Sequence, residues 1–297
     1  MISVVLYGRN DNYGYNYHKR AALSLNCIAE VLRPPDEIIF VDYNTPDDLP
    51  TLPEAIHDTL TGRAKELLRI LRARPAIHQR FKSRTKLVVL EPIARNVAIR
   101  RSSPSSRWIL STNTDMIFVP LTGTSLSEIV HDLPPGFYHA PRIELPEMLW
   151  ESLDRHKPRE IISTIRDLGH TLHLNEIVLH EAFVLYDSPG DFQLIERNDL
   201  FKYNGFDEQM VLGWHVDSNI ARRLGIVYGS VGDLGSKIYG YHCDHTRQVT
   251  AMHGPTRTEN DWRQFVENVD RPEIASQADN WGCVNDEIEE IRLRGHS

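Results

Sequence analysis

Two oxygen-bearing side chains, two positions apart, stand at the end of a short apolar run in the middle of the chain. Asn113 and Asp115 follow Trp108, Ile109 and Leu110, a run typical of strands buried on both faces of a parallel sheet. On an extended chain both side chains can face the same way, and divalent cations that escort phosphates prefer such oxygen ligands. Open α/β sheets bind ligands at the carboxyl ends of their strands. On the tripeptide alone, a plain Asn/Asp turn is the first interpretation, and a metal site in a ligand crevice is the alternative.

The elements that would position this tripeptide begin with a strand–helix–strand unit. Residues 2–7 read as the first strand and residues 37–41 as the second. Between them apolar residues recur at helical spacing, and Pro34–Pro35 ends the helix. Two strands joined by a helix favour a parallel βαβ unit.

Both of these strands end in polar residues. The first runs into Gly8 and Arg9, and the second ends on Asp42. Parallel strands bring their carboxyl ends to one edge of the sheet, so we expect Gly8 and Arg9 to line the same pocket as Asp115. For Arg9, an ion pair with Asp11 within the loop is the alternative interpretation.

The rest of the chain alternates between helix and strand up to about residue 120 and is less regular beyond it. In the first part the pattern predicts a helix at 64–71, a strand at 86–90, a helix at 91–103 and a strand at 107–112. In the second part it predicts strands at 137–141, 181–186, 226–231 and 237–243, and helices within 145–168, broken at Pro158, and at 198–203, 214–224 and 285–294.

Composition excludes several classes of partner. Of the 297 residues, 41% are hydrophobic and 25% charged, and the net charge is −8. An acidic chain disfavours nucleic acid or an anionic membrane as partner. Three scattered cysteines do not make a disulfide framework. With neither a membrane-spanning run nor a secretory signal, we expect a cytoplasmic protein, and peripheral membrane contact stays open.

Five short motifs occur in an order that resembles a known family. They are Asp42 after the second strand, Ala94-Arg95-Asn96, Asn113-Thr114-Asp115, Gly205-Phe206-Asp207-Glu208, and Gly213-Trp214-His215-Val216-Asp217. This order, over roughly residues 2–245, resembles the nucleotide-sugar glycosyltransferases of the GT-A fold, especially the inverting family 2. The resemblance implies an α/β, Rossmann-like fold: a mixed, mostly parallel sheet flanked by helices, with a less regular acceptor-side half and a C-terminal helical tail.

The same resemblance implies roles for the residues at the strand ends. Asp115 would hold Mn²⁺ or Mg²⁺ against the diphosphate of a nucleoside diphosphate sugar. Asp42 would accept a hydrogen bond from the base or ribose, which favours a UDP-sugar donor. Arg95 would approach the diphosphate or hold the Asp42 loop. Asn113 departs from the family, which has Asp there, and an amide lowers the negative charge at the metal.

Asp217 is the implied general base, although Val216 stands where the family has Glu. At a helix start the dipole keeps a carboxylate ionised, and it can accept the proton of the acceptor hydroxyl, which would give inversion. His242 or His245 would supply a further metal ligand. If the strand continued through them, the two would point to opposite faces. A zinc site that includes Cys243 is the competing interpretation, although no second Cys/His pair accompanies it.

The resulting prediction is a soluble, metal-dependent glycosyltransferase with a glycan, lipid-linked or small-molecule acceptor. Residues 1–120 would bind the nucleotide sugar, residues 121–250 would form the acceptor-side half, and residues 251–297 the tail. A retaining transferase, in which Asp217 only orients the sugar or acceptor, stays open. So does a non-catalytic nucleotide-sugar-binding module, which Asn113 suggests. A nucleotidyltransferase would want a Gly-rich basic loop after the first strand, and the loop at Gly8 lacks the glycine density.

Overall fold

A computed structural model describes residues 1–122, 125–171, 190–245 and 260–293 of the chain. The strands are β1 (Ile2–Gly8), β2 (Glu37–Tyr43), β3 (Leu68–Ala73), β4 (Trp108–Ser111), β5 (Met116–Pro120), β6 (Phe137–His139), β7 (Arg142–Leu145), β8 (Gln193–Glu196), β9 (Gly232–Asp233), β10 (Ile238–Cys243) and β11 (Glu289–Ile291). The α-helices are α1 (Tyr17–Val31), α2 (Leu52–Ala55), α3 (Gly62–Leu67), α4 (Pro75–Gln79), α5 (Glu91–Arg100), α6 (Leu126–His131), α7 (Glu147–Ser152), α8 (Pro158–Thr171), α9 (Arg197–Lys202), α10 (Val216–Tyr228) and α11 (Trp262–Asn268). Within these ranges no helix has the length and apolar character needed to cross a membrane.

Two sheets organise the described residues. The larger has eight strands in the order β11-β3-β2-β1-β4-β8-β6-β9, and the smaller has three in the order β5-β10-β7. In the larger sheet β3, β2, β1 and β4 run parallel, whereas β8 and β11 are antiparallel to β4 and β3. The predicted mixed, mostly parallel sheet flanked by helices is confirmed.

Helices cover both faces of the larger sheet. Along β1, Ile2, Val4 and Leu6 belong to one core with α1, whereas Val5 belongs to a second core with α5 and α10. Successive residues of a strand point to opposite faces of the sheet. Because helices cover both faces, all four side chains are fully buried. The middle parts of β1, β2 and β4 are therefore apolar runs. Asp42 and Ser111 lie near the carboxyl ends, where ligands bind, whereas Ser3 and Glu37 lie at the amino ends.

At one edge of the sheet the predicted elements are wrong. The helix predicted at 64–71 stops at Leu67, and Leu68–Ala73 form β3 because β2 offers them a parallel edge along its whole length. Residues 86–90, predicted as the third strand, form no strand. Since β3 occupies that edge of β2, the apolar residues 87–90 line the cleft instead.

Two further elements differ in the second half of the chain. Helix α10 runs on to Tyr228, so the strand predicted at 226–231 does not form, and the two-residue strand Gly232–Asp233 comes after that range. The helix predicted at 285–294 is also wrong: β11 lies there, antiparallel to β3, and Arg69 pairs with Glu290 across the two strands at 2.8 Å. Charges that suit a helix surface also suit a strand pair. The strand predicted at 181–186 lies outside the described residues.

Candidate active site

A cleft of about 530 Å³ opens where β1 and β4 end. The predicted residues Gly8, Arg9, Asn113 and Asp115 line it together with both late histidines, His242 and His245. Its remaining lining comes from the loop after β1, the 87–92 segment, Arg142 on β7 and residues 210–216 before and at the start of α10. The carboxyl ends of adjacent parallel strands thus meet the smaller sheet at one crevice.

Asp115 and the two histidines form one cluster in this cleft. The Nε2 atoms of His242 and His245 lie 3.6 Å and 3.3 Å from the same Oδ2 atom of Asp115. The three possible ligand atoms all lie within 4.8 Å of one another. The strand ends at Cys243, so the alternation that would separate the two imidazoles does not reach His245. His242 reaches Asp115 from β10 itself, and His245 reaches it from the residues directly after the strand.

The donor set of this cluster fits a divalent cation. One carboxylate and two imidazoles suit Mn²⁺ or another first-row metal better than Mg²⁺, which prefers oxygen ligands throughout. Cys243 is fully buried in the core and is not part of the cluster. The competing zinc site with Cys243 is therefore not formed by these residues.

The electrostatics of the cluster keep Asp115 ionised. Burial opposes ionisation, but His242, His245 and the guanidinium of Arg20 hold the pKa of the carboxyl well below its usual value. Arg20, on α1, donates from Nη1 to Asp115 Oδ2 at 2.5 Å. The carboxylate thus meets imidazoles from one side and a buried guanidinium from another.

A second carboxylate orients His242. The Nδ1 atom of His242 lies 2.6 Å from Glu144 Oε2 and 3.0 Å from Arg142 Nη2. A guanidinium has no acceptor, so only Glu144 can take the Nδ1 proton, and Nε2 faces Asp115. Burial lowers the pKa of His242, but Asp115 and Glu144 together raise it to about 9. A carboxylate behind a ligating histidine is the arrangement that fixes metal ligands elsewhere.

Asn113 forms hydrogen bonds with two protein side chains. Its Oδ1 accepts from Arg95 Nη2 at 3.0 Å, and its Nδ2 donates to Asp191 Oδ1 at 2.6 Å. Arg142 Nη1 donates to the other oxygen of Asp191 at 2.9 Å. An amide can accept from the arginine and donate to the aspartate, whereas the carboxylate of an Asp could only accept. The chain therefore uses Asn at this position as a link in a hydrogen-bonded row behind Asp115.

Arg95 supports the site from behind and does not line the cleft. It is fully buried, and it donates to Glu91 Oε1 at 2.8 Å as well as to Ser111 and Asn113. Its guanidinium lies over the Tyr7 ring, 5.0 Å from the centroid. These contacts support Asn113, and neither of the two predicted roles, diphosphate contact and support of the Asp42 loop, is seen among them.

Asp217 lies in the first turn of α10, as predicted, beside the row that holds Asn113, and, like Arg95, it does not itself line the cleft. Its carboxylate accepts from the N–H of Ser218 at 2.8 Å and of Gly190 at 3.1 Å. Burial raises the pKa of this carboxyl to about 6, against the lowering effect of the two donors. The preceding residues Trp214 and His215 both have positive φ, 68° and 62°, and such strain concentrates at functional sites.

Asp42 lies away from the cleft, whereas the first loop lines it. Asp42 is fully buried, accepts from the Leu52 N–H at 2.8 Å and does not line the cleft. Burial raises the pKa of this carboxyl to about 6. Arg9 lines the cleft and also forms the predicted ion pair with Asp11 at 3.0 Å. Gly8 has no room for a side chain, because a Cβ there would lie 2.3 Å from the Tyr17 hydroxyl.

Sequence reasoning missed Arg20, Glu144, Arg142 and Asp191. A signal existed for Arg20, because it directly precedes the apolar run of α1, a helix in which almost every residue is buried. A second signal lay in β7, where Arg142 and Glu144 alternate with the buried Ile143 and Leu145. Asp191 carries no local signal, because its partners are 49 and 78 residues away.

No protein-family model and no curated protein matches the chain. Among solved structures, S. aureus TarS 1–349 in complex with UDP-GlcNAc superimposes with a TM-score of 0.53 at 13% identity, over 90% of this chain and 65% of that one. The TarS 1–349 structure without UDP-GlcNAc gives a TM-score of 0.48 at 13% identity, over 82% and 60%.

The mannosyltransferase PcManGT from Pyrobaculum calidifontis, in complex with GDP-Man and Mn²⁺, gives a TM-score of 0.48 at 14% identity, over 89% of this chain and 60% of that one. The chain thus spans 60–65% of TarS 1–349 in these two structures, and it spans 36% of the TarS chain in another structure. Likeness at this identity concerns the fold. The fold is the GT-A type of nucleotide-sugar glycosyltransferases, as the sequence resemblance implied.

Proposed function

We propose that this protein is a metal-dependent glycosyltransferase that moves a sugar from a nucleoside diphosphate sugar to a hydroxyl acceptor. The observation that carries the proposal is the meeting of Asp115, His242 and His245 at the carboxyl ends of β1 and β4. On a GT-A sheet this edge is where a ligand binds. The cluster combines a low-pKa carboxylate with two imidazoles, so it is suited to hold a cation beside a diphosphate.

The chain's own residues would divide the work of the donor site. Asp115, His242 and His245 would hold Mn²⁺, and a bound divalent cation supplies Lewis-acid neutralisation of the leaving diphosphate. Glu144 accepts the hydrogen bond from the Nδ1–H of His242, and this leaves Nε2 to face the ion. Gly8 lets the loop after β1 approach closely, and Arg9 on that loop lines the cleft beside the donor.

Asp217 is our proposed general base, and the reaction would then be inverting. The carboxylate is held by two backbone N–H groups, and a pKa of about 6 leaves it ionised at neutral pH with an appreciable affinity for a proton. The retaining alternative keeps the same fold and gives Asp217 an orienting role. The anomeric configuration of the product, read by NMR, separates the two.

The donor and the division of the chain remain parts of this proposal. UDP-sugars are the favoured donor class, and the support is the fold-level likeness to a TarS structure that holds UDP-GlcNAc. We propose residues 1–120 as the nucleotide-sugar-binding half, 121–250 as the acceptor-side half and 251–297 as the tail. The acceptor would be a glycan, a lipid-linked sugar or a small molecule.

A thermal-shift panel with UDP, GDP, CDP and dTDP, each with and without Mn²⁺, tests the donor site. One nucleotide should stabilise the protein only when Mn²⁺ is present, since a ligand that binds the folded state raises its stability by mass action. Asp115→Ala should abolish that metal-dependent shift. Asp132→Ala is the matched control, because that carboxylate is 92% exposed.

Turnover separates an enzyme from a non-catalytic module. Hydrolysis of the matching nucleotide sugar with Mn²⁺ should be measurable for the wild type and lost in Asp115→Ala. Nucleotide binding without turnover in either protein would favour the module, and absence of any nucleotide-dependent shift would reject the donor site altogether.

A further inference from the structure

Arg20 is a fixed cation inside the proposed metal site. Its side chain is fully buried within α1, and its Nη1 donates to Asp115 Oδ2 at 2.5 Å. Its Nη2 donates to the Tyr13 carbonyl at 2.5 Å and its Nε to the Tyr15 carbonyl at 3.3 Å. The guanidinium also lies over the Tyr17 ring, 5.3 Å from the centroid. Three hydrogen bonds and a ring face therefore hold this charge in place.

The oxygen that Arg20 contacts is the one that both imidazoles face. Asp115 Oδ2 lies 3.3 Å from His245 Nε2 and 3.6 Å from His242 Nε2. Asp115 is the single carboxylate of the described ligand cluster. An arginine is always protonated in proteins, so it cancels the only formal negative charge that the cluster offers to a cation.

The neighbouring carboxylates do not restore that charge to the cluster. Glu144 accepts from His242 and forms an ion pair with Arg142. Asp191 pairs with the same arginine at 2.9 Å and accepts from Asn113. Each negative charge around the cluster thus has a cationic or donor partner, and in the free protein a divalent cation meets an almost neutral site with a guanidinium beside it.

We propose that Arg20 sets the metal affinity of this site, so that the free protein binds Mn²⁺ weakly and the cation enters together with a nucleoside diphosphate. This inference rests on the proposed function, because it takes Asp115, His242 and His245 as the metal ligands. The diphosphate brings the negative charge that Arg20 removes. Arg20 is buried and does not line the cleft, so it acts on the cation and on the diphosphate through its charge and not by contact.

The coupling has a reciprocal consequence. If the diphosphate raises the affinity for Mn²⁺ by some factor, Mn²⁺ raises the affinity for the diphosphate by the same factor. A protein of this kind would bind free Mn²⁺ weakly and would bind Mn²⁺ tightly together with the nucleotide. Arg20 would be the residue that sets this selectivity, through charge and without contact to the sugar.

Binding of Mn²⁺, followed by the EPR signal of the free ion at mildly alkaline pH, tests the inference on the full chain. The wild type, Arg20→Met, Arg20→Gln and Arg20→Lys are compared with and without UDP, and in parallel with GDP. Wild type should bind Mn²⁺ at least about tenfold more tightly with one of the nucleotides. Arg20→Met should bind Mn²⁺ alone at least about tenfold more tightly than wild type, since a like charge near the ion is removed.

Arg20→Gln guards against a folding failure, because an amide can still donate to a loop carbonyl that Arg20→Met leaves unpaired. Arg20→Lys keeps the charge and should bind Mn²⁺ alone within about threefold of wild type. Equal Mn²⁺ affinity of the free wild type and both uncharged variants would overturn the inference. Tight binding to the free wild type would overturn it too, while leaving the proposed metal site intact. If no protein bound Mn²⁺ under any condition, the inference and the metal dependence would both fall.

Discussion

Replacing Asn113 by Asp is the sharpest test of how the site is built. The substitution restores the Asp-x-Asp pattern that the family resemblance implies, yet the structure predicts that it harms this protein. The Nδ2 of Asn113 lies 2.6 Å from Asp191 Oδ1 and its Oδ1 lies 3.0 Å from Arg95 Nη2. A carboxylate would gain attraction to Arg95 but would face Asp191 with no proton between them.

The magnitude follows from these contacts. At an effective dielectric of about 20, a pair of unit charges at ~4 Å interacts by about 4 kcal/mol, so the new attraction and the new repulsion roughly cancel. What remains is the lost hydrogen bond to a charged group, about 1.5–3 kcal/mol. We expect Asn113→Asp to lower the free energy of unfolding by about 2 kcal/mol, which at roughly 2 °C per kcal/mol lowers Tm by about 4 °C.

The assay is thermal and urea unfolding at pH 8 and pH 5. A protonated Asp at this position can again donate to Asp191, so its pKa in the folded protein would be raised. Its penalty is therefore complete above that raised pKa and shrinks as the pH falls towards the usual value of about 3.9. The swap Asn113→Asp/Asp191→Asn reverses the hydrogen bond and keeps an acceptor for Arg142. Against both single variants it should recover at least about 1.5 kcal/mol of coupling energy. Unchanged stability of Asn113→Asp at pH 8, or no recovery in the swap, would refute the reasoning.

Three other predictions concern the same cleft. Glu144→Leu should weaken Mn²⁺ binding in the presence of the nucleotide about 10- to 100-fold, because His242 is no longer held in its orientation. Glu144→Gln still accepts a hydrogen bond, so its Mn²⁺ affinity should stay near that of the wild type. EPR titration measures both affinities, and an equal loss in the two variants would contradict the orienting role. Because the pKa of Asp217 is about 6, initial rates should fall about tenfold for each pH unit below that value. Asp217→Asn should lower the rate roughly 100-fold or more. An unaltered rate in this variant would show that Asp217 is not the base. Gly8→Ala puts a Cβ 2.3 Å from the Tyr17 hydroxyl and should cost about 1–3 kcal/mol in urea unfolding, while Gly62→Ala, with no atom within 4 Å, should change little.

Local pattern was enough to predict the start of the fold. The apolar run of β1 and the helical spacing in α1 are properties of a few consecutive residues, and both elements lie where the sequence places them. The candidates Asp115, His242 and His245 also came from short motifs at strand ends. For these residues the chemistry of the side chain and its position after an apolar run carried the information.

Partners far apart in the chain were beyond the sequence. The edge of β2 selects residues 68–73 over residues 86–90, although both segments can form a strand, and that choice depends on which segment pairs with β2. The same holds within the site, where Asp115 meets Arg20 from 95 residues away and Asn113 meets Asp191 from 78 residues away.

The sequence by itself predicted Asp115, His242 and His245 as site residues and placed the first buried strands and helices, because apolar spacing and side-chain type are properties of neighbouring positions. Only the tertiary structure decided that Asn113 is a link between Arg95 and Asp191, that Asp42 is buried away from the cleft, and that a guanidinium lies beside Asp115. Hydrogen bonds and charge pairs depend on distances of about 3 Å between atoms, and the folded chain alone sets those distances.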